Sequence, residues 1–210
     1  MAKSQPKVVH ETITITPPNF QTIALKLRGT APLCINRFSE KAKAEIAAKH
    51  RAGSTGKKNT QKESKDFEAL YNAARYISEE GWDGIHAGAF RNAAISACRT
   101  VGYTMTRAKL ALYIVHDGLD AQDGTMLVRI HGAPMMWTTP VRNKTSIDLR
   151  PRPLYRDWGA LLRVRFDADM FTASDVTNLF VRVGMQVGIG EGRPDSKMSA
   201  GIGLGTFEIE

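Results

Sequence analysis

Arginine is the residue type whose placement in this chain points most directly to chemistry. Residues 137–165 carry Arg142, Lys144, Arg150, Arg152, Arg156, Arg163 and Arg165 against only Asp148 and Asp157, with Trp137, Tyr155 and Trp158 interleaved. A guanidinium pairs bidentately with phosphate and stacks on bases, and an aromatic ring offers a platform for an unpaired base. The combination predicts contact with single-stranded rather than duplex nucleic acid, with Trp137 and Trp158 as stacking residues. Those tryptophans would serve equally as core anchors, with the arginines lining the surface. A second basic stretch, 41–65, holds eight Lys and Arg against Glu45 and Glu63. Its centre, Ala52 to Thr60, is rich in Gly, Ser, Thr and Lys and has no apolar period, which reads as a loop tip. Lys57 and Lys58 would there form a basic finger that orders on a phosphate backbone, or else part of a solvated insertion.

Other chemistries are poorly supplied. His10, His50, His86, His116 and His131 are scattered, and neither G-x-S-x-G nor H-E-x-x-H occurs. His86, at a predicted helix start, is the best candidate for the general base of a metal-independent ribonuclease. Asp117, Asp120 and Asp123 read as turn residues instead of metal ligands. The segment Val187 to Pro194 is glycine-rich but fails the dinucleotide fingerprint, because Arg193 stands where its third glycine belongs. Residues 53–58 fail the phosphate-loop pattern in the same way, with Arg51 and Lys58 at its required positions. No cofactor and no metal is therefore expected. The glycine-rich loop is left as a place of close backbone approach to a ligand or another chain, with Arg193 at its turn, or as a bulged hairpin packed on its own domain.

The elements that would position these residues come from a chain of 210 residues, 42% hydrophobic, which can bury one core. Its 29 Lys and Arg against 21 Asp and Glu give a net charge of +8, so a polyanionic partner is plausible. Cys34 and Cys98 are the only cysteines. They support neither a disulfide scaffold nor a zinc site. No long apolar run and no secretory leader is evident, so a cytoplasmic location is expected.

Periodicity gives the order of elements. Ile23 to Arg28 alternates apolar and basic residues, as a half-buried strand should. Helices are predicted over 39–50, over 65–80 ending near Gly81, and from Phe90 to Val101 before Gly102. Lys109 to Val115 and Thr125 to Ile130 read as strands around a turn at 120–124. Leu162, Val164 and Phe166 alternate with Arg163 and Arg165 in a further strand. Thr172 to Asp175 has the capping-box spacing for a helix ending at Gly184, and Thr206 to Ile209 closes the chain as a strand.

Reduced to its core, this is strand, helix, strand, strand, helix, strand. It is the pattern of an α+β, ferredoxin-like (RRM-like) core in one domain, 1–210, with a basic insertion at 36–82 and a β-ribbon insertion at 116–158. In that arrangement the first and third core strands are adjacent. Lys26, Arg28, Arg163 and Arg165 would then share one face, where like charges repel unless carboxylates or an anionic ligand intervene.

Three segments resemble the RAMP superfamily, RNA-binding proteins that form the repeating backbone of CRISPR effector complexes. Leu27-Arg28-Gly29-Thr30-Ala31-Pro32-Leu33-Cys34-Ile35 is similar to that family's first strand and following turn. Ile85-His86-Ala87-Gly88-Ala89-Phe90-Arg91-Asn92-Ala93 is similar to its helix start, and Gly203-Leu204-Gly205-Thr206-Phe207 to its glycine-rich terminus. His86, Asn92 and Ile95 depart from the residues usual there, although Arg99 follows one turn later. Residues 30–39 also lack the Asp that cleaving members carry. Val187 to Pro194 resembles proteins encoded by bacteriophages.

The resemblance implies a non-catalytic binder of single-stranded RNA, or DNA, that contacts the phosphate backbone and self-assembles along the strand as a homo-oligomer or filament. It implies Arg37, Arg91, Lys57 and Lys58 at the strand, the helix start being suited to phosphate by its free N–H groups. Two other readings stand beside it: a metal-independent RNA-processing endonuclease, and a structural or inhibitory protein that binds a protein partner through Met135-Met136-Trp137.

Overall fold

The computed structural model describes residues 15–38, 44, 48, 66–143, 146–196 and 201–210, with 141–143 and 146–147 described by backbone alone. The expected helix over 39–50 therefore lies almost wholly outside the described residues. Of it only Ala44 and Ala48 are described, both helical. Lys57, Lys58 and the expected loop tip around them lie outside as well.

Strand β1 (Phe20–Gly29) buries Leu25 and Leu27 and exposes Lys26 and Arg28, so its alternation puts one apolar edge inward. It pairs antiparallel with β10 (Gly159–Asp167), which buries Ala160, Leu162, Val164 and Phe166 on the same side. Strand β11 (Phe207–Ile209) pairs with the free edge of β1, and β5 (Leu112–Val115) with that of β10, giving an antiparallel sheet ordered β11-β1-β10-β5. Two helices cover its apolar face. Helix α2 (Ala87–Ala97) presents Phe90, Ala93, Ala94 and Ala97, and α4 (Ala173–Arg182) presents Val176, Leu179 and Phe180. Alanine on α2 lets the helix backbone approach the sheet closely. The predicted capping box is present on α4: Thr172 accepts from the Asp175 N–H at 3.1 Å, and Asp175 accepts from the Thr172 N–H at 2.9 Å.

Two smaller sheets flank this unit. One is ordered β3-β4-β7-β6, from β3 (Tyr76–Ile77), β4 (Asp83–His86), β6 (Gly118–Leu119) and β7 (Met126–Arg129). The other joins β2 (Leu33–Cys34) to a ribbon of β8 (Pro134–Asn143) and β9 (Ser146–Tyr155). Register places Pro134, Pro140, Pro151 and Pro153 all on one parity of the ribbon ladder. A proline tolerated in a ladder has its nitrogen pointing away from the partner strand, so Pro134, Pro140 and Pro151 blunt the ribbon's outer edges, whereas at Pro153 that edge is taken by the β2 segment, whose Ile35 N–H donates to the Pro153 C=O at 3.1 Å.

Three sequence expectations fail here, each for a physical reason. The helix predicted over 65–80 ends early, as α1 (Phe67–Ala73), because Tyr76 and Ile77 pair with Gly84 and Asp83 and Arg75 binds Asp83 through two hydrogen bonds of 2.9 and 2.7 Å. The strand predicted from Lys109 begins only at Leu112. Residues Met105–Ala111 form α3, which buries Ala108 and Ala111 at helical spacing; aromatic and β-branched residues take over after it. The last helix does not stop at Gly184 but runs through a π-helical turn, Val183–Val187, to Gly188.

Candidate nucleic-acid interface

Helix α2 and the glycine-rich loop that follows the π-helical turn form the two walls of a groove of about 930 Å³. Its lining draws on Ile35 after β2, on His86, Ala89 and Asn92 at the start of α2, and on Ile189 to Glu191 and Arg193 in the loop. Each comes from a separate part of the sequence. Gly88 follows from His86, since a Cβ there would overlap the imidazole folded back over it.

The loop wall is tied by backbone hydrogen bonds. Ile189 N–H donates to Gly205 C=O at 3.0 Å, Gly205 N–H to Pro32 C=O at 2.8 Å, and Glu191 N–H to Cys34 C=O at 2.9 Å. Gly205 has φ +68°, and a Cβ on it would overlap the Ile189 carbonyl oxygen. The loop thus takes the second of the two forms expected for it, a bulged structure packed on its own domain. It still offers one wall to the groove.

Charge in the groove is local and paired. Arg99 donates to both carboxylate oxygens of Asp195 at 2.8 Å and to the Ser96 hydroxyl at 2.6 Å. Ser96 also donates to Asp195, and this bond together with Arg99 holds the Asp195 carboxyl below the usual aspartate range. Arg193 donates to the Gly190 C=O at 3.0 Å. Lys109 contributes from α3 with no ion pair among the described residues. Glu191 accepts from Arg152 at 2.9 Å, which fastens the loop to the base of the ribbon. Arg152 is itself buried, so it acts as an internal brace rather than as a contact residue. Burial pushes the neighbouring Cys34 thiol up to about 12, with the Glu191 charge acting in the same direction.

The opposite, open face of the four-stranded sheet carries the cations expected there, and β1 and β10 are adjacent. Thr22 faces Arg165, Ala24 faces Arg163 and Lys26 faces Leu161, so no two cations are directly opposed. Carboxylates relieve the rest of the repulsion. Lys26 pairs with Glu210 at 2.6 Å, Arg28 with Glu208 and, at 3.4 Å, with Glu210, and Arg163 with Asp117 at 2.7 Å. Exposed pairs of this kind are screened by water and contribute little to stability. Lys26 draws the Glu210 carboxyl below its ordinary value. The cations of the two strands therefore do not run together as one continuous positive track.

Arg165 is the exception on β10, since its guanidinium lies over the rings of Phe20 and Tyr113 at 4.9 and 5.2 Å. Arg91 does not enter the groove as expected for the helix start. It reaches over the edge of the sheet, donates to the carbonyls of Leu112 and Lys109, and lies 5.2 Å over Tyr113.

Several expected contact residues lie elsewhere. Arg37 is buried, bound to Asp120 at 2.9 Å, Asp123 at 3.1 Å and Gln122, and it fixes the 120–124 turn. A buried guanidinium held by two carboxylates is a structural brace, and losing a partner costs about 3–5 kcal/mol. Trp158 is a core residue instead of a stacking platform: it is 5% exposed, donates from Nε1 to the Ala31 C=O at 2.8 Å, and meets Phe207 edge-on at 6.0 Å. Trp137 stays half-exposed on the ribbon opposite Arg152. Arg142 lies on the ribbon opposite Ile147, and Arg156 is exposed beyond β9.

The sequence reading missed Ser96, Asp195 and Lys109 in the groove and Phe20 and Tyr113 on the open face. Phe20 and Tyr113 had a signal, since each sits one strand away from a basic alternation. Ser96 and Asp195 are 99 residues apart and had none. No protein-family model matches the chain, and neither a curated protein nor a solved structure is significantly similar to it.

Proposed function

We propose that this protein is a non-catalytic binder of single-stranded nucleic acid, with RNA favoured, that holds the strand by its phosphate backbone along the α2–loop groove. The observation that carries the reading is convergence: Ile35, His86, Ala89 and Asn92 from two segments of the family resemblance, and Ile189 to Glu191 and Arg193 from the glycine-rich loop, line one groove. The terminus at 203–207 sits directly behind it, with Gly205 bonded to Ile189 and Phe207 against Phe90. The sheet order β11-β1-β10-β5, with α2 between β1 and β5 and α4 between β10 and β11 packed on one face, supports a ferredoxin-like core. Both features agree with the resemblance to the RAMP superfamily. Assembly of copies along the strand is part of the same proposal, for which the exposed Met135, Met136 and Leu149 of the ribbon offer an apolar contact.

The test is titration of a labelled single-stranded RNA at several salt concentrations. Removing two groove cations, as in a Lys109→Glu/Arg193→Glu variant, should make the dependence of log K on log salt shallower by about one unit per lost phosphate contact. An unchanged slope would move the strand out of the groove. The endonuclease alternative is favoured by one observation, that His86 lines the groove. It requires that metal-free incubation of RNA give 2′,3′-cyclic ends, and intact RNA rejects it.

A further inference from the structure

We propose that the open face of the four-stranded sheet holds a nucleobase-stacking site, built on Phe20, Tyr113 and Arg165 and distinct from the backbone groove. It rests on the reading above that the chain binds single-stranded nucleic acid, and it adds where an unpaired base is received. Strand alternation puts Phe20, Thr22 and Ala24 of β1 on the same face as Arg163 and Arg165 of β10 and Tyr113 of β5, through the pairings Thr22 with Arg165 and Arg165 with Tyr113. The Phe20 and Tyr113 rings meet edge-to-face at 5.6 Å, and Phe20 remains 38% exposed.

Charge sets this corner apart from the rest of the face. Lys26, Arg28 and Arg163 are each held by a carboxylate, whereas Arg165 and Arg91 have none among the described residues and lie on the rings instead. Arg91 is also fixed by the Leu112 carbonyl at 2.8 Å, so its charge is held beside Tyr113. The exposed Phe20 ring, Tyr113 set edge-on to it and the two guanidinium groups over them thus present π surface together with positive charge. That is what an unpaired base with flanking phosphates requires. Thr22 and Ala24 next to it are small and leave the approach along β1 low. A duplex hides the faces of its bases and cannot use such a surface, so the occupant is a base of a single strand.

The experiment compares two labelled strands of equal length and phosphate number, one an oligouridylate and one abasic. Wild-type protein should hold the base-bearing strand roughly 5- to 150-fold more tightly, the range set by one stacked base. In Phe20→Ala that preference should collapse while abasic binding is unchanged. Phe20→Leu, which keeps apolar bulk and guards against a folding artefact, should lose the preference too. Arg165→Gln should weaken both strands. Equal affinity of wild type for the two strands, or an intact preference in both Phe20 variants, overturns the site and leaves backbone binding standing. Failure of wild type to bind either strand overturns the underlying function as well.

Discussion

The two surfaces of this molecule solve the problem of exposed charge in opposite ways. In the groove, Arg99 is locked to Asp195 and Ser96, and the wall behind it is fixed by backbone bonds among Ile189, Gly205 and Pro32. On the open face, Arg165 and Arg91 rest on aromatic rings, with no ion pair among the described residues. A carboxylate cancels the long-range field of a cation, whereas a ring only holds it in place. The difference lies in how single cations are held, by a carboxylate at Arg99 and by rings at Arg165 and Arg91.

The contrast is broken most severely at the groove wall. Gly205→Ala places a methyl group against the Ile189 carbonyl at positive φ, and urea unfolding should show a loss of several kcal/mol, about 4 or more. Gly203→Ala, also at positive φ but in open space, should lose only about 1–2 kcal/mol. A similar loss from both would mean that the wall is not tightly packed. On the open face, the Arg163→Glu/Arg165→Glu double variant should keep its melting temperature within a few degrees while oligonucleotide affinity drops roughly tenfold or more. Unaltered affinity would remove that face from the interface.

Smaller effects sharpen the comparison. Asp195→Asn breaks a largely exposed pair and should cost less than about 1 kcal/mol. Its pH signature is more telling. Because the folded carboxyl is held below the free value of about 3.9, its contribution is present above that pH and disappears as pH falls through the lowered one. The acid limb of the stability profile should therefore be shallower in the variant, and an unchanged limb would contradict the network. The mildest expectation concerns Cys34. With its thiol pushed up to about 12 by burial, it should resist alkylation in the native protein at pH 8, and rapid modification would show that the loop opens.

Much of the sheet was legible because alternation is a local signal. Leu25 and Leu27 against Lys26 and Arg28, and Leu162 and Val164 against Arg163 and Arg165, declare which way each strand faces. The capping box at Thr172 and Asp175 was equally local. Partners were not legible. Whether an arginine meets a carboxylate, a ring or a carbonyl depends on chain crossings that bring Arg28 to Glu208 and Arg99 to Asp195, and no spacing rule encodes those. Arg152, expected at the surface from its basic stretch, and Arg37, expected there from the resemblance, are both drawn inside by acidic partners for the same reason. Trp158 illustrates the converse, an aromatic among cations that found the Ala31 carbonyl and the core.

The most direct measurement is the affinity of the intact protein for a labelled single-stranded RNA across a salt series. Single-strand backbone binding predicts a linear fall of log K with log salt, with a slope of about −3 for four phosphate contacts. A strand that fails to bind even at low salt, or that binds with no dependence on salt, would contradict the account.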